Sequence, residues 1–162
     1  MFSSRTLFAG IAAAASLAVL SGAPTPASTP AQAVCDGGTA AGPWRMPIRS
    51  QGTGIASGRL VDSVTHQTAY RLRLLLTDEP TPCLSCVQGD IAGTLDDGVG
   101  SSPDYFVRGS YFGSFMGGSG SFQLRVFRPS DGAVVGVVTG DFADLPGDGT
   151  SGRFLGDWRI CP

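Results

Sequence analysis

A spacing of glycine, three residues, glycine, one residue and a large apolar residue occurs five times in this chain, and it restricts the fold more than any other feature. The copies are Gly54-Ile-Ala-Ser-Gly58-Arg-Leu60, Gly89-Asp-Ile-Ala-Gly93-Thr-Leu95, Gly109-Ser-Tyr-Phe-Gly113-Ser-Phe115, Gly136-Val-Val-Thr-Gly140-Asp-Phe142 and Gly152-Arg-Phe-Leu-Gly156-Asp-Trp158, with a partial sixth in Gly120-Ser-Phe122. Residues two apart share a face of a β-strand, so each copy sets two glycines, a mostly larger residue between them and a large apolar residue on one side. Around the last copy the opposite side carries Arg153, Leu155, Asp157 and Arg159; around the second it carries Asp90, Ala92, Thr94 and Asp96. A helix would scatter both sets around its circumference, and each interior glycine would cost it about 1 kcal/mol relative to alanine. The repeat therefore predicts strands. Alternating small and large inward residues suit the tapering interior of a small closed barrel, where glycine lets a strand coil or lets a neighbour's ring lie over the backbone.

The rest of the chain after Pro43 fits that reading. Trp44 to Arg49 is a short first strand with Pro47 at an edge or a bulge. Thr68 to Thr77 has the clearest alternation, with Tyr70, Leu72, Leu74 and Leu76 on one face and Arg71 and Arg73 on the other. Further strands are expected at Gly54–Asp62, Val87–Leu95, Tyr105–Phe115, Gly120–Phe127, Ala133–Ala143 and Arg153–Ile160. Asp96-Asp-Gly98, Met116-Gly-Gly118, Pro129-Ser-Asp-Gly132 and Pro146-Gly-Asp-Gly149 supply turn chemistry between them. The expectation is an all-β antiparallel meander of about eight strands closing into a small up-and-down β-barrel, with a β-sandwich as the alternative. An outer-membrane barrel would face apolar residues outward, whereas the non-glycine faces here carry Arg125, Asp141, Arg153, Asp157 and Arg159.

Met1 to Ala33 reads as an export signal, with Arg5 as its charged segment, Leu7 to Leu20 as its apolar run and Ala31-Gln-Ala33 as the small-x-small cleavage pattern. Residues 34–162 then form a single domain, secreted or periplasmic and free of the membrane once the signal is removed. That domain has ten arginines, no lysine and 13 acidic residues, a net charge of −3. No basic stripe points to nucleic acid. Four cysteines in an exported chain read as two disulfides. Pairing Cys35 with Cys161 would tie the two ends of the meander together, and Cys83 with Cys86 would close a small loop; cross-bridges from Cys35 to that pair are the other connectivities. A redox Cys-x-x-Cys expects a helix after it, which is not seen here, and zinc would need a second such pair.

Chemistry-bearing residues are few. His66 is the single histidine, in a polar turn, and no Gly-x-Ser-x-Gly elbow exists. Glu79 is the single glutamate, so a carboxylate pair would have to use aspartates. Asp141, Asp144 and Asp148 form the most acidic loop and are weak calcium candidates, with Asp96, Asp97 and Asp104 a weaker group; neither has the EF-hand spacing. No cofactor is implied. Tyr111, Phe115, Phe142, Phe154 and Trp158 are the candidates for lining a ligand cavity, against the alternative that they fill the core. The expected function is a non-catalytic exported binding or interaction module for a small apolar ligand or a protein partner. A small hydrolase using His66 or an aspartate pair and a structural cell-surface module are the alternatives. The barrel interior discriminates, because an apolar cavity favours a ligand and a filled core favours the loops.

Overall fold

A computed structural model describes residues 34–48, 52–80, 85–114, 118–145 and 150–161. Its strands are β1 (Asp36–Ile48), β2 (Thr53–Asp62), β3 (Thr68–Asp78), β4 (Cys86–Asp96), β5 (Tyr105–Ser114), β6 (Ser119–Phe127), β7 (Val134–Asp144) and β8 (Ser151–Ile160). Each pairs antiparallel with the next, and β1 also pairs with β8, so the sheet closes into an eight-stranded up-and-down barrel. No helix among the described residues is long and apolar enough to cross a membrane. Strands β2 to β8 lie where alternation places them. Strand β1 is the exception, starting at Asp36 rather than Trp44. Its extra length is Gly37-Gly38-Thr-Ala-Ala-Gly42, a run with no large apolar alternation to betray it. Small residues are needed there because this strand closes the ring: a Cβ on Gly42 would stand 2.6 Å from Gly58 Cα of β2. Beyond Arg45 the ladder to β2 shifts register before Ile48, in the segment holding Pro47, which has no N–H to donate.

The glycines of the five repeats and the middle residue between each pair face inward. Gly54, Ala56 and Leu60 are buried, as are Gly89, Ile91 and Leu95, Tyr111 and Gly113, Val138, and Gly152, Phe154 and Trp158. Outward positions carry Arg59, Arg71, Arg73, Arg108, Arg125, Arg153 and Arg159, all exposed. The half of the barrel toward Asp36 and Ile160 is packed solid by aliphatic side chains: Leu60, Leu95, Val107, Leu124, Val126 and Val138 have no exposed surface. Burying each contributes about 1.5–3 kcal/mol relative to leaving it in water. Tyr70 and Trp158 cap this end, their rings 5.9 Å apart and nearly perpendicular, and Trp158 Nε1 donates to Val61 O at 3.2 Å. Burial pushes the Tyr70 phenol up to about 12, with Tyr105, Asp36 and Asp104 adding to the rise.

The same end is tied covalently. Cys35, just before β1, is bonded to Cys161, just after β8, across 126 residues. Cys86 is also disulfide-bonded, and Cys83 lies outside the described residues. The β2–β3 turn is held by Asp62 Oδ1, which accepts from Val64 N at 3.0 Å and from Thr65 N at 2.6 Å. The Thr65 backbone N–H, more than any other contact, keeps the Asp62 carboxyl below the usual carboxylate range. His66 sits exposed at the tip of this turn with φ 55°, in the left-handed region.

Candidate functional site

The other half of the barrel is lined differently. Its inward residues include the rings of Trp44, Tyr111, Phe122, Phe142 and Phe154, and four of these five lie against a glycine of another strand. A Cβ on Gly58 would stand 2.5 Å from Phe154 Cζ, one on Gly89 2.8 Å from Tyr111 Cε1, one on Gly113 2.8 Å from Phe142 Cζ, and one on Gly152 2.6 Å from Trp44 Cε2. The glycines let the rings flatten onto the wall, so the axis is left unfilled. What results is a cup of about 80 Å³. Met46, Asp78, Val87, Ser114 and Asp144 stand at its mouth; Trp44, Leu76, Tyr111 and Phe142 form its upper wall; Ala56, Leu74, Ile91, Phe122 and Phe154 lie deeper.

The rings form perpendicular pairs. Phe142 stands edge-to-face with Trp44 at 6.1 Å and 81°, and with Tyr111 at 6.1 Å and 80°; below them Phe122 and Phe154 pair at 5.6 Å and 83°. Such pairs contribute about 0.5–1.5 kcal/mol each beyond the area they bury. The Tyr111 hydroxyl donates to Asp78 Oδ1. Burial raises the Tyr111 phenol far above its ordinary range, the Asp78 hydrogen bond adds to this, and the charges of Asp78, Glu79 and Asp90 push the same way. At neutral pH it is a fixed donor. Trp44 Nε1 is buried over the Gly152 backbone with no hydrogen-bond partner among the described residues.

Of the residues expected to line a cavity, Tyr111, Phe142 and Phe154 meet in the cup, Trp158 lies at the closed end away from it, and Phe115 is outside the described residues. Asp144 is at the mouth, Asp141 is on the outer face, and Asp148 is outside the described residues. The described carboxylates that come within 4.8 Å of one another as a group of three are Asp96, Asp97 and Asp104, in the β4–β5 connection at the closed end. Backbone N–H groups occupy part of that loop's acceptor capacity: Asp97 N donates to Asp104 Oδ2, Gly98 N to Asp96 Oδ1 and Val99 N to Asp97 Oδ1. His66 is also at the closed end and cannot reach a group held in the cup.

Trp44, Asp78 and Phe122 are among the lining residues that the sequence reading did not single out. For Asp78 a signal existed: Tyr70, Leu72, Leu74 and Leu76 face inward, and one more step of the same period reaches Asp78. The chain matches no protein-family model, and no curated protein or solved structure matches it.

Proposed function

We propose that this barrel is a non-catalytic, exported binding module that takes a small apolar group into the cup at its open end. The observation that carries the reading is the unfilled apolar space of about 80 Å³, walled by rings that glycines hold flat. A closely packed interior leaves few voids larger than a water molecule, so a preserved hollow beside a solid half-core suits a ligand better than stability. The Cys35–Cys161 bond is consistent with an oxidising compartment, which supports the export half of the reading. A hydrolase reading gains little here, since His66 lies at the far end from the cup.

Filling the cup tests this. Ala56 lies on its wall and is 7% exposed, so Ala56→Leu directs an isobutyl group into the hollow. Isobutanol should shift the Trp44 indole N–H resonance saturably in the wild-type protein and leave it unmoved in Ala56→Leu, with both proteins equally folded. Equal responses in the two proteins would place the ligand elsewhere, and no response in the wild type would remove the reading.

A further inference from the structure

We infer that the ligand of the cup is a small organic cation, an alkylamine or a quaternary ammonium, whose apolar part enters between Trp44, Tyr111 and Phe142 while its charge stays at the mouth beside Asp78 and Asp144. This rests on the cup being a binding site, and it adds the chemistry of what is bound. Three features carry it.

The first is the disposition of the rings. An aromatic face carries the negative part of the ring quadrupole and attracts a cation within about 6 Å of its centroid, most strongly for tryptophan. Phe142 meets Trp44 at 81° and Tyr111 at 80°, so the three rings do not stack on one another, and all three line the hollow. The second is the sign of the mouth. Among the described residues that line the cup, the ionisable ones are Asp78 and Asp144, and none is an arginine. Asp78 ends β3 and Asp144 ends β7, four strands apart in a ring of eight, so the two carboxylates stand on opposite sides of the opening. An anionic ligand would meet both. A neutral one would bring no opposite charge to Asp78, the carboxylate held against the rings, while removing water from it, which is unfavourable.

The third is the anchoring of Asp78. The Tyr111 hydroxyl, itself part of the wall, donates to Asp78 Oδ1 and holds the carboxylate against the rings rather than out in solvent. The Tyr111 phenol is pushed upward chiefly by burial, with the Asp78 hydrogen bond and the charges of Asp78, Glu79 and Asp90 adding to the rise. Size sets the remaining limit: a hollow of about 80 Å³ takes a branched alkyl group or a methylated ammonium, with anything longer emerging through the mouth.

Isobutylamine, isobutanol and isobutyrate share one carbon skeleton and differ in charge, so titrating each into the full chain separates shape from sign. The two indole N–H resonances report separately, Trp44 beside the cup and Trp158 at the closed end as an internal control. The amine should bind about tenfold more tightly than the alcohol, and isobutyrate more weakly than either. Asp78→Asn keeps an acceptor for Tyr111 and removes the charge, and it should cut the amine-to-alcohol affinity ratio several-fold, a ratio read within the variant itself. Asp144→Asn should do the same from the other side, and alcohol binding by each variant shows that its cup is intact. A wild-type amine-to-alcohol ratio near one, tighter binding of isobutyrate, or an unchanged ratio in both variants overturns the inference while leaving the cup as an apolar site. Failure of all three compounds to move the Trp44 signal removes the cup itself as a binding site, and the inference with it.

Discussion

Gly140 of β7 and Gly156 of β8 are directly paired, and their approach sets how tightly the barrel coils between Phe142 and Trp158. A Cβ on Gly156 would fall on Thr139 O, 2.7 Å from Gly140 Cα and 2.8 Å from the Thr139 carbonyl carbon; one on Gly140 would stand 2.5 Å from Gly156 Cα. These are backbone atoms, so no side-chain rotation relieves the clash. The strands must part. Overpacking costs about 1–3 kcal/mol, and parting the ladder there weakens one or two hydrogen bonds at roughly 1 kcal/mol each, so Gly156→Val should lose about 2–5 kcal/mol. Asp157 is exposed on the outer face, and Asp157→Val should stay within about 0.5 kcal/mol of wild type. The same contrast is expected for Gly140→Val against Thr139→Val. Because either variant forces the same separation, the double variant Gly140→Ala with Gly156→Ala should lose less than the sum of its parts, by about 1 kcal/mol. Urea unfolding of these variants measures every term. Additive losses would mean that the two clashes are relieved independently, and similar losses at Gly156 and Asp157 would refute the assignment of the glycine face.

Replacing Cys35 and Cys161 by serine opens a covalent loop of 126 residues and should cost about 5 kcal/mol, against roughly 2 for Cys86→Ser, if chain entropy governs; equal losses in melting would argue otherwise. Alkaline stability follows from Tyr70 and Tyr111: a phenol held neutral in the fold stabilises fully below its unfolded value near 10 and loses that contribution as pH rises through its folded value, about 12 for Tyr70. Urea midpoints should hold steady up to about pH 9.5 and fall beyond it, less steeply in Tyr70→Phe; a fall of the same steepness in that variant would exclude Tyr70 as a cause. His66→Gly should leave stability unchanged or raise it slightly, whereas His66→Val should cost about 1–2 kcal/mol, because a branched side chain resists a φ of 55°. Equal stability of the two would contradict the left-handed conformation of the turn.

The barrel was legible because its inward face is written in glycines at a fixed spacing, and period two then assigns every neighbour. Strand β1 was half hidden, since Gly38, Ala40 and Gly42 are small for closeness to β2 and leave no apolar stripe. The site was legible in part. Phe154 and Trp158 share a face of β8 and look equivalent in sequence, but four residues of strand separate them by about 13 Å. That distance puts one in the cup and the other in the cap of the closed end. Trp44 carried no face assignment because Pro47 obscured the period of its strand. Asp78 could be placed on a face, yet nothing local shows that Tyr111, paired across from Gly89 on the next strand, reaches its carboxylate.

The size of the cup gives a last test that joins packing to function. Phe142 reaches across Gly113 and Gly120 to the edges of Trp44 and Tyr111, so it is the ring whose removal widens the hollow most directly. Truncating a fully buried phenylalanine to alanine costs about 3–5 kcal/mol. Phe142 is only half-buried and already borders unfilled space, so Phe142→Ala should fall at or below the low end of that range. An apolar cavity of about 150 Å³ accepts benzene, and the wild-type cup of about 80 Å³ is too small for the whole ring. Phe142→Ala should therefore gain benzene binding, seen as a thermal shift that grows with benzene concentration and is absent in the wild type. Phe122→Ala removes a deeper ring and should show the same gain with a larger loss of stability, since Phe122 is buried where Phe142 is half-buried. If benzene stabilises the wild type as much as either variant, the rings do not limit the volume. If it stabilises neither variant, the barrel collapses onto the space left behind, and the hollow owes nothing to rigid aromatic walls.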